Sequence, residues 1–209
     1  MKAKKVEIPC GSLNLEGILA VPDSGGPFSL VVVCHPHPRY GGNMSNNVVH
    51  AVCEKLEEKG MASLKFNFRG VGQSDGKFAG GIGEKEDLRA AISFAAGQPG
   101  IEGQRIGICG YSFGAMVVLS FAAENPVKAA AGISPIIQPE NLLDNCTVPK
   151  LLVCGDRDEF VEIRKLEEIF RKIPEPKELG IYPGADHFWG GEEDFMGERV
   201  SEFFQRYLN

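Results

Sequence analysis

The chain lacks the raw material for a structural metal site: its six cysteines include no CxxC pair. It lacks any apolar stretch near the roughly 20 residues that a membrane-crossing helix needs. It also lacks a basic excess. Lys and Arg total 22 against 28 Asp and Glu, for a net charge of −6, and the only basic run is Lys2, Lys4 and Lys5. That balance argues against nucleic acid or an anionic membrane as a partner. No apolar h-region follows those lysines, which predicts no secretory leader and a cytoplasmic location. Disulfides are not expected either. Cys34, Cys109 and Cys154 each close an apolar run (VVVC, IGIC, LLVC), the setting of small core residues in a reducing compartment. No repeat, low-complexity tract or linker interrupts the 209 residues, so one domain over 1–209 is expected.

What is present is a short apolar run, a turn and an amphipathic helix, repeated. Leu30–Cys34, Ala62–Phe68, Ile106–Cys109, Ala129–Ile133 and Leu151–Cys154 have strand length and are apolar on both faces, as covered parallel strands are. Helical stripes lie between or after them. These are Val48, Val49, Val52, Cys53 and Leu56; Leu88, Ala91, Ile92 and Ala95; Met116 to Ala123; Ile163, Leu166, Ile169 and Phe170; and Met196, Val200, Phe203, Phe204 and Tyr207. Gly60, Gly97 and Asn125-Pro126 supply stops. Val6–Cys10 and Leu13–Val21 across Gly11-Ser12 predict an antiparallel hairpin. The fold class is therefore α/β, a mixed sheet with helices on both faces.

The strongest chemical signal is Gly110-Tyr111-Ser112-Phe113-Gly114, where an apolar strand runs directly into an apolar helix. A residue at such a junction needs a strained backbone, and the crossing strand and helix demand glycine two positions to either side. Ser112 then stands clear of the sheet at a helix N-terminus, which favours developing negative charge. A serine hydroxyl needs a base, and there are only four histidines. His50 falls on the polar face of the first helix. His187 lies in a loop after the strand Glu178–Tyr182 and before the last helix, a place where catalytic groups are displayed. Asp156, Asp158 and Glu159, at the end of the Leu151 strand, are the candidate acids, whereas Asp186 is too near His187 in sequence to orient it. His35 and His37 alternate in a proline loop. They read as packing or hydrogen-bonding groups of a rigid loop or, without a third ligand nearby, less well as a metal pair.

The order GYSFG, GDRDEFV, GADHF resembles the α/β-hydrolase superfamily. The resemblance covers almost the whole chain and implies a mostly parallel twisted sheet of about eight strands without a cap domain. In that superfamily the acid-bearing strand ends Gly-x-x-Asp, which selects Asp158 and gives the triad Ser112, Asp158 and His187. Arg69-Gly-Val-Gly-Gln-Ser-Asp-Gly76 matches its RGxGxSxG turn, a structural loop. The His35-Pro-His-Pro segment with Gly41-Gly-Asn-Met44 is similar to a small lidless branch related to dienelactone hydrolases. That likeness implies backbone N–H donors at Phe113 and His37, since Pro36 and Pro38 have none to give. His35, Arg39, Tyr40, Tyr111 and Phe188 are candidate pocket residues. The nucleophile is serine where the dienelactone branch has cysteine, which weakens any carry-over of dienelactone as substrate. The expectation is a cofactor-free, metal-free serine hydrolase, monomeric or homodimeric, cleaving small or short-acyl carboxylic esters. An amidase, peptidase, thioesterase or acyltransferase using the same triad, and a non-catalytic binding protein, are the alternatives.

Overall fold

The computed structural model describes residues 2–23 and 25–208. Its elements are β1 (Lys2–Cys10), β2 (Leu13–Val21), β3 (Phe28–Cys34), α1 (Asn47–Glu58), β4 (Ala62–Phe66), α2 (Ile82–Ala96), β5 (Ile101–Tyr111), α3 (Phe113–Glu124), β6 (Ala130–Ile133), β7 (Lys150–Gly155), α4 (Ile163–Lys172), β8 (Lys177–Tyr182) and α5 (Glu193–Leu208). The eight strands form one sheet in the order β1-β2-β4-β3-β5-β6-β7-β8. β1, β2 and β4 pair antiparallel, and every pair from β4 to β8 is parallel. This is the mixed sheet with an N-terminal hairpin that the sequence pattern implied.

Three strand ends differ from the apolar pattern, each for a physical reason. β1 starts at Lys2, not Val6, because its first residues lie exposed on the sheet edge, where charge replaces apolar alternation. β5 begins at Ile101, and its polar stretch Glu102–Arg105 hides a strand that is irregular against β3 between Phe28 and Leu30. β4 stops at Phe66, where Asn67 keeps one last in-register bond to β2 and the Phe68 N–H leaves the ladder. Asn67 donates to the Glu16 carbonyl and Phe68 donates to a ring nitrogen of His35.

Alternation along β3 divides the core into two layers. Val31 and Val33 pack with α1 and α5, while Leu30, Val32 and Cys34 pack with α2, α3 and α4. α3 is apolar all round because it is buried along most of its length, as are Val117, Val118 and Leu119. α1 starts where the Asn46 side chain accepts from the Val48 N–H. The six cysteines are free, and Cys34, Cys109 and Cys154 are fully buried. No helix among the described residues is long and apolar enough to cross a membrane.

Parallel strands end on a common edge, so the loops after β3, β5, β6, β7 and β8 meet there. Those loops carry His35 and His37, Ser112, Ser134, Asp158 and His187 respectively.

Candidate active site

Ser112 sits between β5 and α3 with φ 54° and ψ −113°, a left-handed backbone that non-glycine residues rarely adopt. Its neighbours make the turn possible. A Cβ at Gly110 would overlap the Gly114 carbonyl, and one at Gly114 would lie 2.5 Å from the Cys34 carbonyl oxygen. The two glycines thus let α3 start directly against the end of β3. The same packing sets the His35–Pro38 loop beside the serine, and the rings of His37 and Phe113 lie 5.0 Å apart.

The Ser112 hydroxyl is 3.0 Å from His187 Nε2, and His187 Nδ1 is 2.9 Å from both carboxylate oxygens of Asp158. An ionised Asp158 accepts only, which assigns the imidazole proton to Nδ1 and leaves Nε2 free to accept from the serine. Burial opposes ionisation of Asp158. Hydrogen bonds from His187, Ser134 and the Phe160 N–H outweigh it and hold the carboxyl below its usual range. The other carboxylates in reach are engaged locally. Asp156 accepts from the Gly184 N–H, and Asp186 accepts from the Phe188 and Trp189 N–H groups, closing the turn that carries His187.

Two residues that the sequence pattern did not single out support this line. Ser134, at the end of β6 with φ 47°, is fully buried. Its hydroxyl accepts from Trp189 Nε1 at 3.1 Å and helps to hold the Asp158 carboxyl in its ionised form. Trp189 is the only tryptophan and is fully buried two positions after His187. The clue available in the sequence was a serine closing an apolar strand (AAGIS) at the same edge as Cys154-Gly155.

The pocket candidates divide. Tyr111 is buried in the core, and its hydroxyl donates to the His187 carbonyl at 2.8 Å, so it anchors the histidine loop and does not line an open pocket. His35 is also displaced from the pocket role. It has no exposed surface, with Nδ1 2.7 Å from the Pro36 carbonyl and Nε2 accepting from the Phe68 N–H at 3.1 Å. Both nitrogens are spent within the protein, so no lone pair remains for a metal, and among the described residues no cluster of three or more His, Cys, Asp or Glu could hold one. Arg39 and Tyr40 are exposed on a single 3-10 turn, Pro38–Tyr40, at the rim. Phe188 is exposed and meets the His187 ring edge-on. His50 is exposed on α1. The backbone N–H groups of Phe113 and His37 donate to no group among the described residues. The Arg69 turn is structural, with Arg69 pairing the buried Asp87 through Nε and Nη2 at 2.7–2.9 Å.

Burial pushes the pKa of His35 down to about 4, against a weaker opposing effect of its bond to Pro36. A histidine held neutral when folded but free to charge when unfolded contributes its full stability above the unfolded value, near 6.5. That contribution is lost as pH falls toward about 4. The expected loss over this window is roughly 3 kcal/mol. Chemical denaturation of the wild type and His35→Gln at pH 7 and pH 4.5 checks it: the two should converge on acidification, and an unchanged gap would contradict the assignment.

A sequence model of the dienelactone hydrolase family matches residues 15–199. Over 202 residues the chain is 31% identical to an uncharacterized protein of Rickettsia prowazekii, covering 91% of this chain and 84% of that one. Among solved structures it is similar to an alpha-beta serine hydrolase homologue from Coxiella burnetii, at 31% identity and a TM-score of 0.87 over 97% of each chain. It is also similar to an a/b serine hydrolase without lid from Xanthomonas campestris, at 28% identity and a TM-score of 0.86 over 100% of this chain and 96% of that chain. With a family match that runs from β2 into α5, and so spans every loop of the shared sheet edge, the chain is a hydrolase that belongs to the dienelactone hydrolase family.

Proposed function

We propose that this hydrolase is a carboxylesterase working through an acyl-enzyme on Ser112. The observation that carries the reading is the unbroken line from the Ser112 hydroxyl through His187 to Asp158, at 3.0 and 2.9 Å. In the first step Ser112 Oγ attacks the ester carbonyl while its proton passes to His187 Nε2. The oxyanion is held by the N–H groups of Phe113 and His37, each worth about 3–4 kcal/mol by precedent. The tetrahedral adduct then collapses, the C–O bond to the alcohol breaks, and His187⁺ protonates the departing oxygen. Water enters, gives its proton to His187 and its oxygen to the acyl carbon, and Ser112 recovers its proton as the acid leaves. Asp158 fixes the imidazole tautomer and stabilises the imidazolium. No step calls for a cofactor or a metal.

The short connection between β6 and β7, from Ser134 to Pro149, leaves no room for a sizeable cap. An uncapped site gives a long acyl chain little surface to bury against, so short acyl groups are expected to be favoured. Acetyl, butyryl and palmitoyl esters of one phenol share a leaving group and isolate this term. Acetyl and butyryl esters should be cleaved with the higher kcat/KM, and a clear palmitoyl preference would contradict the reading.

A further inference from the structure

A cleft of about 670 Å³ opens beside the triad, between the loop after β6 and the start of α4. That volume is within the range of small-molecule pockets. Pro135, Ile136, Ile137, Phe160, Val161 and Leu166 give it an apolar wall, and Gln138, Glu140, Asn141, Glu162 and Lys165 line the rest. The cleft excludes Ser112 but is continuous with the site through Phe160. Phe160 is 58% exposed, its ring centroid lies 4.6 Å from that of His187, and its N–H donates to Asp158. At its outer side the cleft reaches the Lys165–Glu140 ion pair.

We propose that this cleft receives the alcohol portion of the substrate, and that the enzyme is selective for short-acyl esters of apolar alcohols. The inference rests on the esterase reading and adds a direction to it. Within that reading the carbonyl oxygen turns toward Phe113 and His37, on the β3 side of Ser112. The departing alkoxide oxygen must instead come within hydrogen-bond reach of His187 Nε2 to be protonated. Whatever is attached to that oxygen therefore extends past the His187 ring, which meets two exposed apolar side chains, Phe160 and Phe188; of these Phe160 is the nearer, at 4.6 Å, and is the one that lines the cleft. An apolar alcohol lying there covers Phe160 and Ile136, both exposed in the free protein. Since the gain is realised next to the breaking bond, it enters kcat/KM.

Acetate esters of straight-chain alcohols test this, because ethyl, butyl and hexyl alcohols leave with nearly the same basicity while apolar length grows. Between ethyl and hexyl acetate, kcat/KM should rise roughly tenfold, less than full burial of four methylenes would give. The mirrored series, ethyl acetate to ethyl hexanoate, should not rise. Ile136→Glu, at a half-exposed position of the cleft, should reduce the hexyl-to-ethyl ratio to below about twofold. A flat alcohol series, or a steep acyl series that Ile136→Glu flattens, would overturn the assignment with the esterase reading intact. The wild-type series is decisive even if the variant misfolds. Absence of turnover on every ester, with Ser112 unreactive toward a fluorophosphonate, would instead remove the esterase reading and this proposal with it.

Discussion

Replacing Ser112 by Ala is expected to lower kcat for a short-acyl ester on the order of 10⁵–10⁶-fold, because in the proposed mechanism no other group forms the acyl-enzyme. The fold should survive. Alanine keeps a Cβ and therefore the strain of φ 54°, so its melting temperature should stay near that of the wild type. Glycine at the same position removes that strain. Ser112→Gly should be equally inactive yet more stable by roughly 1 kcal/mol, about 2–4 °C in a domain of this size. A thermal melt beside an activity assay reads both. An inactive variant that is stabilised points to a residue held in a costly conformation for chemistry. A glycine variant that unfolds earlier would show that the turn is stabilising in its own right.

Asp158→Asn is the second large effect, and local donors dictate how it arises. The Phe160 and Val161 N–H groups both point at Oδ1, at 2.9 and 3.1 Å. An asparagine must present its carbonyl oxygen to them, which leaves its NH2 facing His187 Nδ1. That nitrogen would then have to accept, the imidazole proton would move to Nε2, and the serine would lose its acceptor. The expected drop in kcat is on the order of 10³–10⁴-fold, as the wrong tautomer produces in other triads. A stability signature accompanies it. Burial works against the Asp158 charge, but the bonds from His187, Ser134 and Phe160 hold its carboxyl low. Its contribution is full above the unfolded value near 3.9 and is lost as pH falls through the lower folded value. The wild type should therefore lose its stability advantage over Asp158→Asn only at the acid end, below about pH 4. Denaturation midpoints at pH 7 and pH 3 check the sign.

Strands β3, β6 and β7 could be read directly from the sequence because they are central, buried on both faces and apolar except for Ser29 and Lys150 near their starts. The starts of β1 and β5 could not, since Lys2–Lys5 and Glu102–Arg105 carry mostly polar, largely exposed side chains and offer no apolar face. At the site, Ser112 was legible because the elbow needs glycines at fixed spacing. His187 was legible because only four histidines exist and one sits in the right loop. Asp158 followed from family pattern, not from its own neighbourhood, where three acids compete. Tyr111 and His35 show the limit of that approach. Each lies next to a functional position in sequence, and each is turned inward by a hydrogen bond to a distant segment, His187 O or Phe68 N. Ser134 and Trp189 were missed for the same reason, since a bond between residues 55 positions apart leaves no periodic trace.

The central claim is that Ser112 is the nucleophile, made reactive by its alignment with His187. Incubation with a fluorophosphonate followed by mass mapping of the labelled peptide tests it most directly. One adduct per chain is predicted, located on Ser112, absent from Ser112→Ala and formed far more slowly by His187→Ala. A folded wild type that takes no label, or takes it on another residue, would contradict the account.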